Sequence, residues 1–215
     1  MNILPPVPVI KTEAGEVIQV AEKWKDHINV EQPDLYAVYP FRLFTLGTDN
    51  LNAGRFTFEH PSFSETTQQS YRPMPFIRLK DGKGTRSFFS WHQTGVQAAY
   101  LGLTDYAREI LVRSALSNDN RFSFPTFYGP NYDWIPDGDH LAIINATLQS
   151  MLLQCEGNTI RVLPAWPKEW DVKFKLHGFN NTVVEGVFEK GKFVRINAIP
   201  TNRKKDLEFS IPTLQ

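Results

Sequence analysis

Three aspartates, three aromatic rings and a histidine crowd into one short irregular segment, Tyr128-Gly-Pro-Asn-Tyr-Asp-Trp-Ile-Pro-Asp-Gly-Asp-His140. A helix-like apolar run follows at once. Carboxylates move protons and polarise water, and aromatic faces stack on sugar rings, so this combination ahead of a rigid helix suits carbohydrate chemistry. The plainer reading of the same residues is a Pro/Gly turn whose aspartates cap the helix. Asp139 is the first candidate for a general base, Asp137 the second and Asp133 a weaker third. Asn131, Trp134 and His140 are candidate sugar contacts from the same segment.

Two further stretches carry similar chemistry. Trp91 and His92 stand at the start of a predicted helix, where the indole would stack on a sugar face and the imidazole would bond a hydroxyl; a buried Trp and a surface His are the alternative. Tyr36 and Arg42 flank Pro40, with core packing and a salt bridge as the alternative. The histidines at 27, 60 and 140 have no metal-ligand spacing, so no metal site and no cofactor is expected. Trp166 and Trp170 read as packing between modules, and His177 as a surface residue on a strand.

Composition sets outer bounds. The chain has 215 residues, enough for one large or two small domains, and 23 Lys and Arg balance 23 Asp and Glu. That balance gives no reason to expect nucleic acid or an anionic membrane as partner. Aromatics reach 13%, which is rich for a neutral chain. Cys155 is the single cysteine, so an intrachain disulfide is impossible. No apolar run approaches the roughly 20 residues of a membrane helix. The start, Met1 to Ile10, has no basic stretch and three prolines, so it reads as an extended segment rather than a signal peptide; localisation stays open.

The elements that must position these groups follow from period and punctuation. Residues 16–20 read as a short strand, and Pro40 prevents Leu35 to Phe44 from being one straight helix. Thr48 would cap a helix over 49–60 that buries Leu51, Phe56 and Phe58. Residues 61–87 read as a long loop. Ser90 would cap a helix carrying Val96, Ala99, Tyr100 and Leu103. After Gly102, Thr104 would cap its partner, with Ala107, Ile110, Leu111, Ser114 and Ala115 inward, giving an αα-hairpin. A third helix is expected over 140–155, with Leu141, Ile144, Leu148, Met151, Leu152 and Cys155 in one stripe and Gly157 as C-cap. The period then falls to two. Strands are expected at 160–163, 172–177, 183–188, 193–199 and 207–211, with a hairpin around 189–192. Helices first and strands last predict an α+β chain with a boundary near 157–170, dividing it into 1–157 and 158–215.

Asp139, the segment Met151-Leu-Leu-Gln154 and the segment Ile160-Arg-Val-Leu-Pro-Ala-Trp-Pro167 stand in an order that resembles the C-terminal part of inverting α-L-fucosidase-like glycoside hydrolases. Asp34-Leu-Tyr-Ala-Val-Tyr-Pro40 and Ser90-Trp-His-Gln-Thr-Gly95 match two earlier family segments in the same order. The resemblance spans roughly residues 30–211. It implies a partial (α/α)6 toroid of helical hairpins followed by a C-terminal antiparallel β-sandwich-like module. It also implies inverting hydrolysis of a carbohydrate substrate, an oligo- or polysaccharide, with Asp139 as base. The general acid, a glutamate in the family, would lie upstream in a missing N-terminal half, leaving this chain inactive by itself. Asp137-Gly-Asp-His140 replaces the family's Ile-Asp-x-Asn-Phe-Gly, so the sugar is not given by the resemblance. The competing expectations are a non-catalytic carbohydrate-binding module, which the β-rich tail would suit, and an accessory fragment.

Overall fold

The computed structural model describes residues 5–25, 32–61, 76–80, 85–88, 92–116 and 138–210. The chain opens with a small antiparallel hairpin, β1 (Val9–Lys11) and β2 (Glu16–Ile18). Val17 and Ile18 turn inward, and the Ile18 N–H donates to Thr57 Oγ1 at 2.8 Å. A 3-10 turn at Pro33–Leu35 and a run of further turns lead to α1 (Leu51–Glu59). Thr48 does not cap α1. Its hydroxyl donates to the Thr45 carbonyl (2.9 Å) and accepts from the Thr45 amide (3.1 Å), so it closes the preceding turn, and Asn50 takes the cap position. Phe58 is fully buried, whereas Leu51 and Phe56 are half-buried.

The expected 61–87 loop contains a hairpin, β3 (Phe76–Arg78) paired antiparallel with β4 (Thr85–Ser87). Its inward positions include Ile77 and Arg86, both fully buried. The Arg86 guanidinium meets the Asp34 carboxylate at 2.9 Å with both side chains at zero exposure. Its Nε donates to the Phe58 carbonyl at 2.9 Å, and one terminal nitrogen also donates to the Thr57 carbonyl. One side chain thus ties the hairpin to the end of α1 and to the 33–35 turn.

Two antiparallel helices follow, α2 (Thr94–Tyr100) and α3 (Thr104–Leu116). Gly102, at φ +67, makes the tight connection that β-carbon-bearing residues disfavour. α2 starts at Thr94, four residues after the expected cap; Ser90 lies outside the described residues. All seven residues of α2 are buried, as a helix surrounded by other elements requires. On α3 the inward face is Tyr106, Ala107, Ile110, Leu111 and Ser114, and Ala115 faces out.

α4 (Asp139–Leu152) crosses α2 where Gly95 faces Thr147. A methyl group at Gly95 would lie 2.7 Å from Thr147 Oγ1, so the absence of a side chain sets the approach of the two helices. The helix ends three residues earlier than its apolar stripe predicts. Leu153 is extended (φ −148, ψ 128) and opens β5 (Leu153–Glu156), which pairs with β6 (Thr159–Val162). A short apolar run fits helix and buried strand alike, and here strand pairing prevails. Gly157, at φ +57, serves the turn between β5 and β6 rather than a helix cap.

The rest of the chain is β. β7 (Val172–Gly178), β8 (Thr182–Glu189) and β9 (Lys192–Ile199) form an antiparallel sheet, and β10 (Leu207–Phe209) joins β6 in parallel. Lys190 and Gly191 both take positive φ (51 and 77), the conformation of a primed two-residue hairpin turn. The alternation read from sequence holds on β8: Thr182, Val184, Gly186 and Phe188 are buried, and Val183, Glu185 and Val187 are less so. Phe193 meets Phe209 edge to face at 5.3 Å, and Gly178 packs over Cys155 and Ile160, so β7 and β9 touch the other sheet. The fold is α+β. Its buried cluster runs from Phe58 through Val96, Leu111 and Met151 to Ile160, Phe174 and Phe188. Trp166 belongs to this cluster, with its indole N–H donating to the Trp170 carbonyl at 2.9 Å.

Asp34→Ala leaves the Arg86 charge buried without its counter-ion. Unfolding in urea should show a loss of about 3–5 kcal/mol, the usual result of breaking a buried pair on one side; a loss under about 1 kcal/mol would mean that water replaces the carboxylate.

Candidate functional site

α4 brings two of the sequence candidates into view together. Gly138 occupies the N-cap position without any side-chain cap, and Asp139 is the first helical residue. Capping is therefore not the task of Asp139, and its side chain is exposed. A carboxylate there interacts favourably with the free amides and dipole of the first helical turn. His140, next along, is fully buried, and His92 is 4% exposed. Both imidazoles sit inside the protein rather than on a surface open to ligand.

α2 and α4 run in the same direction. Gly95 faces Thr147 near the start of α2, and at its far end Gln154 Nε2 donates to the Ala99 carbonyl at 2.8 Å. α4 begins about two turns before the crossing, so its N-terminus and that of α2 point to the same side of the helical layer. His92 and Asp139 thus belong to one end. Tyr36 is half-buried and follows Leu35, whose carbonyl accepts a 3.5 Å bond from Gln97 of α2. Trp91, Asn131, Asp133, Trp134 and Asp137 lie outside the described residues.

The opposite end of the layer holds a cleft of which the sequence marked only Arg42 as a candidate. The cleft, of about 230 Å³, opens between α2, α4 and the β7–β8 turn. Tyr39, Arg42, Tyr100, Ser150, His177 and Phe179 line it. The Tyr39 and Tyr100 rings stack at 5.6 Å, and the Arg42 guanidinium lies 4.9 Å from the Tyr100 centroid. Burial pushes the Tyr100 phenol above its ordinary value of 10.0, against the opposing pull of Arg42.

Sequence reasoning also missed Arg86, which has no flanking pattern to mark it. Gln154 closes the Met151-to-Gln154 segment, and its role here is structural: its amide also donates to the Ser150 carbonyl at 2.9 Å, joining the end of α4 to α2. Among the described residues no group of three or more His, Cys, Asp or Glu is arranged to hold a metal ion, and no helix is long and apolar enough to cross a membrane. No protein-family model matches the chain, and no curated protein matches it.

The raised Tyr100 pKa has a definite sign in stability. The folded chain holds the phenolic proton more tightly than the unfolded chain. The contribution is therefore complete below pH 10 and lost as pH rises through the folded value. Tyr100→Phe should flatten the alkaline limb of a stability–pH curve recorded by denaturant melts from pH 8 to 12. An unchanged slope would assign that limb to other groups.

Proposed function

We propose that this chain is the C-terminal portion of an inverting glycoside hydrolase of the (α/α)6 type, with Asp139 as the base that activates water. The observation that carries this reading is the placement of Asp139: an exposed carboxylate on the first residue of a helix whose other end is buried at Met151 and Leu152. A general base must be held still and yet reach water, and a rigid helix start meets both needs. In the reaction Asp139 takes a proton from water as the oxygen attacks the anomeric carbon. A carboxylic acid on the opposite side, from an upstream segment, protonates the leaving oxygen. Asp137 is the reserve candidate for the base. Tyr36, Trp91, Asn131 and Trp134 are the proposed surroundings of the sugar; His92 and His140, both buried, would support that surface from beneath without touching the ligand.

Several features favour the architecture that goes with this reading. α2 and α3 form one helical hairpin. On α4, Leu141 is exposed and Ile144 and Leu148 are half-buried along one face, as suits a helix that receives further hairpins of a toroid. The sheets β5–β6–β10 and β7–β8–β9, touching through Phe193 and Phe209, fit the two layers of a β-sandwich-like module over 158–215, to which the stretch 1–157 contributes β5 as an edge strand.

In the polypeptide that includes the upstream acid, Asp139→Asn should lower kcat by roughly 10²- to 10⁴-fold with KM nearly unchanged, because Asn keeps the size but cannot take the proton. Asp137→Asn should do less. Steady-state kinetics on aryl glycosides and oligosaccharides would check this; full activity in Asp139→Asn, or glycosidase turnover by the 215-residue chain alone, would contradict the assignment.

A further inference from the structure

Arg42 has a guanidinium with no hydrogen-bonding partner among the described residues. The other half-buried arginines among the described residues all donate to protein oxygen: Arg55 to the Leu101 carbonyl at 2.8 Å, Arg161 to Glu156 at 3.2 Å and Arg203 to Asp206 at 2.6 Å. Arg42 makes no side-chain hydrogen bond or ion pair among the described residues, and its contacts are the faces of Tyr100 (4.9 Å) and Phe179 (6.0 Å). A guanidinium carries five N–H donors in a planar fork that matches a carboxylate or phosphate edge. Two aromatic faces hold the fork in place while its donors stay available.

The surroundings point the same way. None of the described residues lining the cleft is acidic, although acidic and basic residues are equally numerous in the chain. The hydroxyls of Tyr39, Tyr100 and Ser150 and the amide of Gln149 supply further polar groups. Arg42 itself sits at φ +56, a left-handed backbone that non-glycine residues disfavour. The volume of about 230 Å³ equals roughly eight waters at about 30 Å³ each, the room of one small ring.

We propose that this cleft binds the oxyanion of a small ligand, a carboxylate or a phosphate, with Arg42 as its forked partner and Phe179 as its roof. The site is separate from Asp139. Ser150 lies near the other end of α4, roughly 16 Å along the helix axis at about 1.5 Å per residue. The proposal therefore stands whether or not the chain belongs to a hydrolase.

The test uses the 215-residue chain and calorimetric titration at low ionic strength with D-glucuronate, D-glucose 6-phosphate and D-glucose. At least one of the two anions should saturate with one site per chain while glucose does not. Saturation by glucuronate alone assigns a carboxylate, by the phosphate ester alone a phosphate, and by both the oxyanion class. Arg42→Gln should weaken binding at least tenfold. Phe179→Ala, on an exposed turn where folding is not at stake, should weaken it severalfold. The proposal is overturned if neither anion saturates, if glucose binds as tightly as the anions, or if both variants bind with unchanged affinity.

Discussion

The buried pair of Arg86 and Asp34 is the constraint on which the helical part depends. Taking two charges fully out of water costs several kcal/mol for each, and the cost is offset when geometry and hydrogen bonding are nearly complete. Here Arg86 reaches the carboxylate and two backbone carbonyls, those of Thr57 and Phe58. Those acceptors come from the 33–35 turn and from the last turn of α1, and the donor comes from β4. Three segments distant in sequence must therefore assemble together or leave a charge stranded. The neighbouring Lys80 amide donates to the Tyr106 hydroxyl at 2.8 Å, which carries the same hairpin onto α3.

α2 is enclosed chiefly between α3 and α4, and α4 is placed by its crossing at Gly95. That crossing gives the molecule two chemically different ends. At one, α4 begins with an exposed carboxylate. At the other, Tyr100 and Ser150 meet Arg42 and the β7–β8 turn, and the passage from helix to strand at Leu153 is fixed by Gln154. The Met151-to-Gln154 segment is thus the hinge of the architecture: its apolar residues bury one end of α4 and its amide holds the adjoining helix end.

Sequence patterns reveal what repeats locally. The inward face of α3 and the alternation of β8 follow from period, because each burial pattern comes from one segment facing one core. The turn at Lys190 and Gly191 was marked by its glycine. What escaped were pairings between distant residues. Arg86 looks like any polar strand residue until Asp34 is brought beside it, and the hairpin at 76–87 is too short to outweigh its polar setting. Thr48 carries the right residue type for a cap but found a nearer acceptor at Thr45. Cys155 fits the helical stripe, yet it belongs to a strand because β6 lies ready to pair. Of the candidate site, the position of Asp139 at a helix start was legible, whereas the burial of His92 and His140 depends on contacts that no local pattern encodes. The Arg42 cleft was hidden for the same reason, since its walls come from four separate stretches.

The configuration of the first-formed product tests the central claim most directly. With the upstream acid present, hydrolysis of a substrate of known anomeric form, followed by proton NMR before mutarotation, should yield the opposite anomer, because water delivered by Asp139 attacks the face away from the leaving group. A first-formed product with the starting configuration would require a covalent intermediate and would contradict the role given to Asp139.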